Sequence, residues 1–153
     1  MMRRKDREKD NQFALDVLQQ CEYATLATSN PDGTPYCIPI SPVILQESIY
    51  FHCALEGKKL KNIRLHPSVC VSAVSYTKRV PEKFTTEFES AVVMGDCHLV
   101  TEESEKIEAL RAICEKYAAS NMSAFEHAIA KSLARTGICK ITIQQISGKA
   151  KRY

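Results

Sequence analysis

Residues 23–63, "YATLATSNPDGTPYCIPISPVILQESIYFHCALEGKKLKNI", decide how the chain is read. The segment "YATLAT" predicts a strand, and "SNPDG" (29–33) joins Asn-Pro to Asp-Gly, two dipeptides that favour tight turns. "TPYCIPISPVIL" (34–45) then reads as a second strand, antiparallel to the first. Its prolines, Pro35, Pro39 and Pro42, cannot donate ladder hydrogen bonds, so this strand belongs at an edge, at a bulge, or open on one side to something else. After a short loop at Gln46-Glu47, "SIYFHC" predicts a third strand. A short helix follows from Gly57 to Leu65 and stops before Pro67.

The passage from strand to helix through Gly57-Lys58-Lys59 carries the strongest chemical hint. A glycine there lets backbone N–H groups approach an anion, the helix start adds partial positive charge, and Lys58 and Lys59 add two full charges. These are the parts of a phosphate pocket. The same Lys-Lys pair also suits a plain solvated helix face. His52 shares a strand face with Tyr50, while Ile49, Phe51 and Cys53 point the other way. It can serve as an acid or base near neutral pH, or equally as an ordinary surface or core imidazole. Neither a P-loop nor a G-x-G-x-x-G fingerprint is present in the sequence.

Outward from this stretch, "DNQFALDVLQQC" spaces Phe13, Val17, Leu18 and Cys21 for a first helix over about residues 10–20. "SVCVSAVSY" predicts a fourth strand, the polar "TKRVPEK" a connection, and "FTTEFESAVVMGDCHLV" a long fifth strand bulged or bent at Gly95. Thr101 is the expected N-cap of a helix with Glu102, Glu103 and Glu105 in its first turn, and Ile107, Leu110, Cys114 and Tyr117 form its apolar stripe. A capping box from Ser123 to Glu126 opens another helix, which Gly137 ends. "ICKITIQQISGKAKRY" alternates as a half-buried last strand. An antiparallel meander of about six strands with helices packed at its ends is an α+β barrel rather than a parallel α/β sheet.

Composition bounds the rest. A chain of 153 residues, 44% hydrophobic and 25% charged, is expected to form one domain over 1–153, with residues 1–20 supplying a basic N-terminal segment and helix. The seven cysteines lie singly with no C-x-x-C pair, which argues against a disulfide framework or structural zinc, and no metal site is expected. A net charge of +3, concentrated at the two termini, is too small and too mixed for a nucleic-acid footprint. No apolar run is long enough for a membrane span and no signal peptide is evident, so a cytoplasmic protein is expected. Ser41, Ser72 and Ser90 lack nucleophile-elbow glycines, and Cys53 faces away from His52.

Together, A-T-L-A-T, D-G-x-P-Y, Y-F-H-x-A-x-E-G-K-K, the later "FESAVVMGDCHLV" and the late "ISGKAKRY" resemble the FMN-binding split-barrel proteins related to pyridoxamine 5′-phosphate oxidase. Within that superfamily they are most similar to the nitroimidazole-resistance (Nim) branch. The resemblance spans about residues 20–150. It implies a homodimer with FMN at the subunit interface, its phosphate on Lys58 and Lys59. The backbone of Ile38, Pro39, Ile40 and Ser41 would border the flavin ring, His52 and Cys53 would lie beside the cofactor, and Ser90 would reach it from the partner subunit. It further implies a flavin-dependent reductase of nitro-aromatic or similar small electron-poor substrates, with His52 as the proton donor. The stretch "YCIPIS" lacks the basic residue that vitamin B6 oxidases carry near the second strand, and the chain has no tryptophan, so the oxidase itself is disfavoured. A flavin-binding or electron-transfer module without turnover remains open, as does a haem- or deazaflavin-binding member of the same fold.

Overall fold

Residues 2–153 are described by a computed structural model in which all the strands pair antiparallel. The strands are β1 (Glu8–Lys9), β2 (Ala24–Ser29), β3 (Pro35–Ile40), β4 (Val43–Leu45), β5 (Ser48–Ala54), β6 (Ser68–Val80), β7 (Thr85–Leu99) and β8 (Thr136–Lys151). The helices are α1 (Asn11–Gln20), α2 (Lys58–Leu65), α3 (Glu103–Tyr117) and α4 (Phe125–Ser132). Eight strands, rather than about six, form one sheet in the order β3-β2-β6-β7-β8-β5-β4, with β1 attached to β8.

The two ends of that sheet are consecutive in the chain. Only Ser41 and Pro42 separate β3 from β4, so the terminal strands must come together and the sheet curls into a barrel left open along one seam. The single strand expected over 34–45 is therefore two strands on opposite sides of the seam. Pro42 has no N–H to continue the ladder, and the chain crosses where pairing lapses. Pro35 and Pro39 sit in β3, an edge strand, where a missing donor costs least.

Alternation explains what fills the barrel. Leu26 in β2, Phe51 in β5, Val71 in β6, Val93 in β7 and Ile141 in β8 are fully buried in one core, and α1 plugs one end with Ala14, Val17 and Leu18. The Asp10 carboxylate accepts from the N–H of Phe13 at 2.8 Å, capping that helix. At Gly95 the register of β7 against β8 slips, leaving Gln144 unpaired as a bulge. A Cβ at Gly95 would stand 2.3 Å from the Thr142 carbonyl oxygen, so the bulge admits only glycine.

Several local expectations shift. β6 continues through Thr77–Val80 because Thr85–Phe88 pairs with it, and the turn falls at Pro81–Lys83 instead of spanning the whole polar stretch. The N-cap of α3 is Glu102, one residue past Thr101, and its buried face is Ala109, Leu110 and Ile113; Tyr117 is exposed. No capping box forms at Ser123, because a 3-10 segment, Ala119–Ala124, already carries helical geometry into α4 at Ala124. Gly137 does not end that helix; a 3-10 turn at Leu133–Arg135 does, and Gly137 pairs with Cys53 inside β8. No helix among the described residues is long and apolar enough to cross a membrane.

Candidate functional site

The seam positions the site. β3 leaves it as Pro39-Ile40-Ser41, and three groups hold the crossing in place. Lys116 of α3 donates to the carbonyls of Leu18 and Pro42 at 3.0 and 2.7 Å. The Tyr117 hydroxyl donates to the same Pro42 oxygen at 2.8 Å, and the Ile44 N–H donates to the Gln19 side chain at 3.0 Å. Burial lowers the pKa of the Lys116 ammonium and raises that of the Tyr117 hydroxyl, which marks this anchor as partly withdrawn from water.

Beside the seam, Tyr23, Pro39, Ile40, Ser41, His52 and Lys59 line one cleft of about 320 Å³. Five of the residues singled out in the sequence thus converge from β3, the seam, β5 and α2. Tyr23, 63% exposed, completes the wall. It escaped the sequence reading because an aromatic at a strand start carries no periodic signal.

The start of α2 carries the groups that could hold an anion. Gly57 is its N-cap with φ 139°, a backbone region that side chains avoid, and a Cβ there would meet nothing within 4 Å. Conformation demands the glycine, and the space beside the helix start stays open. Lys58 lies over the Tyr36 ring at 4.4 Å and Lys59 over the Phe51 ring at 5.8 Å; neither forms an ion pair among the described residues. The hydroxyl and N–H of Thr34 hold Asp32 below the usual carboxylate range, and Lys58 contributes weakly. Asn62, 1% exposed, fixes the helix by donating to Thr28 Oγ1 and Asn30 Oδ1, both at 3.0 Å. Its sequence signal was a polar residue between the buried Leu60 and Ile63.

The other expected residues sit apart from the cleft lining. Ile38 is half-buried and packs against the core, so only its backbone can face a ligand. Cys53 points into the barrel with its Sγ 3.8 Å from that of Cys139. That hydrogen bond, then burial, raises the Cys53 thiol far above its ordinary value. Cys139 is pushed up to about 12, since the Cys53 hydrogen bond lowers it less than Cys97 and burial raise it. Both are protonated packing groups rather than nucleophiles. Lys58 stands one residue outside the cleft. Ser90 lies on the outer face of β7, donating to the Lys149 carbonyl at 3.4 Å. It is nine residues along the strand from Leu99, which pairs with Cys139, so about 30 Å of strand separates it from the β5 end of the site.

A second pocket shares His52 with the first. It measures about 260 Å³ and lies between β5, α3 and α4, lined mainly by apolar side chains including Leu110, Ile113, Met122, Phe125 and Ile129. Below it, the Tyr50 hydroxyl donates to Glu105 at 2.6 Å and Lys140 donates to the same oxygen at 3.1 Å, tying α3 to β5 and β8. Those two bonds, Tyr50 first, hold the Glu105 carboxyl below its ordinary range. Among the described residues no His, Cys, Asp or Glu side chains group as a metal site.

A family model described as pyridoxamine 5′-phosphate oxidase matches residues 10–150. No curated protein matches significantly in sequence. Among solved structures, a candidate 5-nitroimidazole antibiotic resistance protein from Bacteroides thetaiotaomicron superposes with a TM-score of 0.77 at 21% identity, over 93% of this chain and 84% of that one. A flavocytochrome from Azotobacter vinelandii gives 0.84 at 19% identity, over 100% and 73% of the two chains. An FAD- and haem-binding protein from Mycobacterium smegmatis gives 0.81 at 18% identity, over 96% and 74%. At these identities the likeness speaks for the shared fold.

Proposed function

Since the chain belongs to this pyridoxamine 5′-phosphate oxidase family, we propose that it is an FMN-dependent reductase of small neutral nitro-aromatic or similarly electron-poor compounds, working as a homodimer. The observation that carries the reading is the convergence of Pro39, Ile40, Ser41, His52 and Lys59 on one cleft beside the glycine-capped start of α2. The donor set fits a flavin phosphate: two cations without carboxylate partners among the described residues, open backbone at Gly57, and a helix start. Lys58 and Lys59 hold that phosphate, and the β3 backbone borders the ring.

The cleft lies at the low end of the usual range of about 300–1,000 Å³ for ligand sites, which supports a site completed by a second subunit. The outer face of β6 and β7 supports the same arrangement. Val74, Val92 and Met94 are 48%, 41% and 41% exposed there, with uncharged Ser72 and Ser90 between them. A neutral, partly apolar sheet face of this kind is a candidate subunit contact. A groove of about 440 Å³ runs from Tyr23, which also lines the cleft, across Thr25, Ser72 and Val74. Ser90 on that face then belongs to the partner's cofactor site.

The bound flavin supplies the electron pair. Conversion of a nitro group to nitroso consumes two electrons and two protons and releases one water. His52, at the edge of both pockets, delivers one proton. The β3 backbone would border the flavin ring and leave one edge of it open to substrate, and reduced pyridine nucleotide or a transiently bound partner protein would supply the electrons.

The test is anaerobic reoxidation of the photoreduced holoprotein by 1,2-dimethyl-5-nitroimidazole. Reoxidation faster than that of free reduced FMN, and slowed about 10²-fold or more in a His52→Ala protein that still holds flavin, is expected. Reoxidation no faster than that of free reduced FMN overturns the reductase reading in favour of a binding or electron-transfer module.

A further inference from the structure

The pocket between β5, α3 and α4 has no part in holding the flavin, yet it opens onto the one imidazole that the cofactor cleft also exposes. Among the described residues, His52 alone lines both. We propose that this pocket is the substrate subsite, built for a single neutral ring bearing hydrogen-bond acceptors, with Asn121 and Phe125 as its recognition residues. The choice of occupant rests on the reductase reading; the existence and chemistry of the pocket do not.

Three features define the ligand class. The first is size. A cavity of about 150 Å³ holds benzene, so about 260 Å³ accommodates one substituted ring. The second is charge: none of the lining residues is Asp, Glu, Lys or Arg, so burying an anionic or cationic substrate would leave its charge unpaired. The third is the pattern of free donors. Ser132 and Thr136 already spend their hydroxyl protons on the carbonyls of Ala128 and Ser132, both at 2.9 Å. The Asn121 amide has no side-chain hydrogen bond among the described residues, and His52 stands at the mouth. Both groups can donate to an acceptor such as a nitro oxygen.

The backbone aims these residues deliberately. Asn121 departs from helical geometry inside the Ala119–Ala124 segment, with φ −119° and ψ 17°, and this kink joins α3 to α4 across the pocket. Phe125 is the buried residue of α4, and its ring is held by the Arg111 guanidinium at 4.3 Å, itself paired with Glu126 at 2.6 Å. A flat aromatic wall is thus fixed in orientation before any ligand arrives. Ring-on-ring contact adds to simple burial for an aromatic ligand.

The experiment is calorimetric titration of the full chain, as purified and after FMN loading, with 4-nitrotoluene and with 4-nitrobenzoate, which replaces its methyl by a carboxylate. The wild type is expected to bind 4-nitrotoluene at least about tenfold more tightly than 4-nitrobenzoate, because nothing in the pocket neutralises the anion. Ala128→Phe fills the rim from an exposed helix position that the fold does not depend on, and is expected to weaken 4-nitrotoluene at least about tenfold. Asn121→Ala should weaken it about three- to tenfold, the worth of one hydrogen bond. FMN affinity, followed by flavin fluorescence, stays within about twofold of wild type in Ala128→Phe, since Ala128 lies outside the cleft. Failure of the wild type to bind 4-nitrotoluene, equal binding of the carboxylate, or undiminished binding by Ala128→Phe overturns the subsite. Loss of FMN binding by the wild type overturns the flavin reading instead, and the nitrotoluene titration then judges the pocket alone.

Discussion

The barrel interior and the helical cap over β5 are built to different standards. Inside the barrel, Leu26, Phe51, Val71, Val93 and Ile141 are each fully buried, and β2, β3, β5, β6, β7 and β8 all place buried residues in one continuous core. In the cap, α3 buries Ala109, Leu110 and Ile113, α4 buries only Phe125, and Ile129 and Leu133 are half-covered. The difference has a functional sense. Under the proposed function, a close-packed barrel holds the seam backbone to the tolerance a planar cofactor needs, whereas less fully buried helices leave room for a ligand that must enter and leave. His52 projects from the first region into the second.

Truncation on the barrel side should show the largest effect. Phe51→Ala, which removes a fully buried ring under Lys59, is expected to cost about 3–5 kcal/mol in denaturant titration. Asn62→Ala comes next at about 1–3 kcal/mol, because the polar groups of Thr28 and Asn30 lose their buried partner. It should also weaken FMN retention, since α2 is no longer tied to β2. Ile129→Ala in the cap should cost only about 1 kcal/mol and leave FMN retention intact. Equal costs for Phe51→Ala and Ile129→Ala would erase the distinction between the two regions.

The smallest expected effect is on pH. The Tyr50 hydroxyl and then Lys140 hold Glu105 below its ordinary value of 4.5, so their bonds support the folded state above that pH. The support is lost as pH falls through the lowered folded-state value. Melting temperature followed from pH 6 down to pH 3 should therefore fall less steeply for Glu105→Gln than for wild type. An identical slope would show that the junction between cap and barrel does not depend on this carboxylate.

Local signals in the sequence reached as far as local chemistry does. The hairpin at Asn30–Gly33, the glycine-started α2, the Gly95 bulge and the alternation of β8 were all legible, because turn residues and periodicity act over a few positions. The seam was not, since Ser41-Pro42 looks like one more irregularity in a proline-rich strand until β3 and β4 find different neighbours. The cap shows the same limit: the helix after Ser123 was legible, but not its entry, because tertiary packing wound the preceding residues into a 3-10 turn. The cleft residues from β3, β5 and α2 were named through a family resemblance carried by motifs close together in sequence. The second pocket joins His52 to residues more than fifty positions later, and no short pattern announces that meeting.

The most direct test of the account is whether the chain prefers FMN to riboflavin, which differs only in lacking the phosphate, and whether Lys58 and Lys59 create the preference. Fluorescence titration of wild type and of the Lys58→Ala/Lys59→Ala protein with both flavins gives the answer. The account predicts that wild type binds FMN at least about tenfold more tightly than riboflavin and that the double variant binds both alike. A wild type that binds neither flavin, or a double variant that keeps the full preference for FMN, would contradict it.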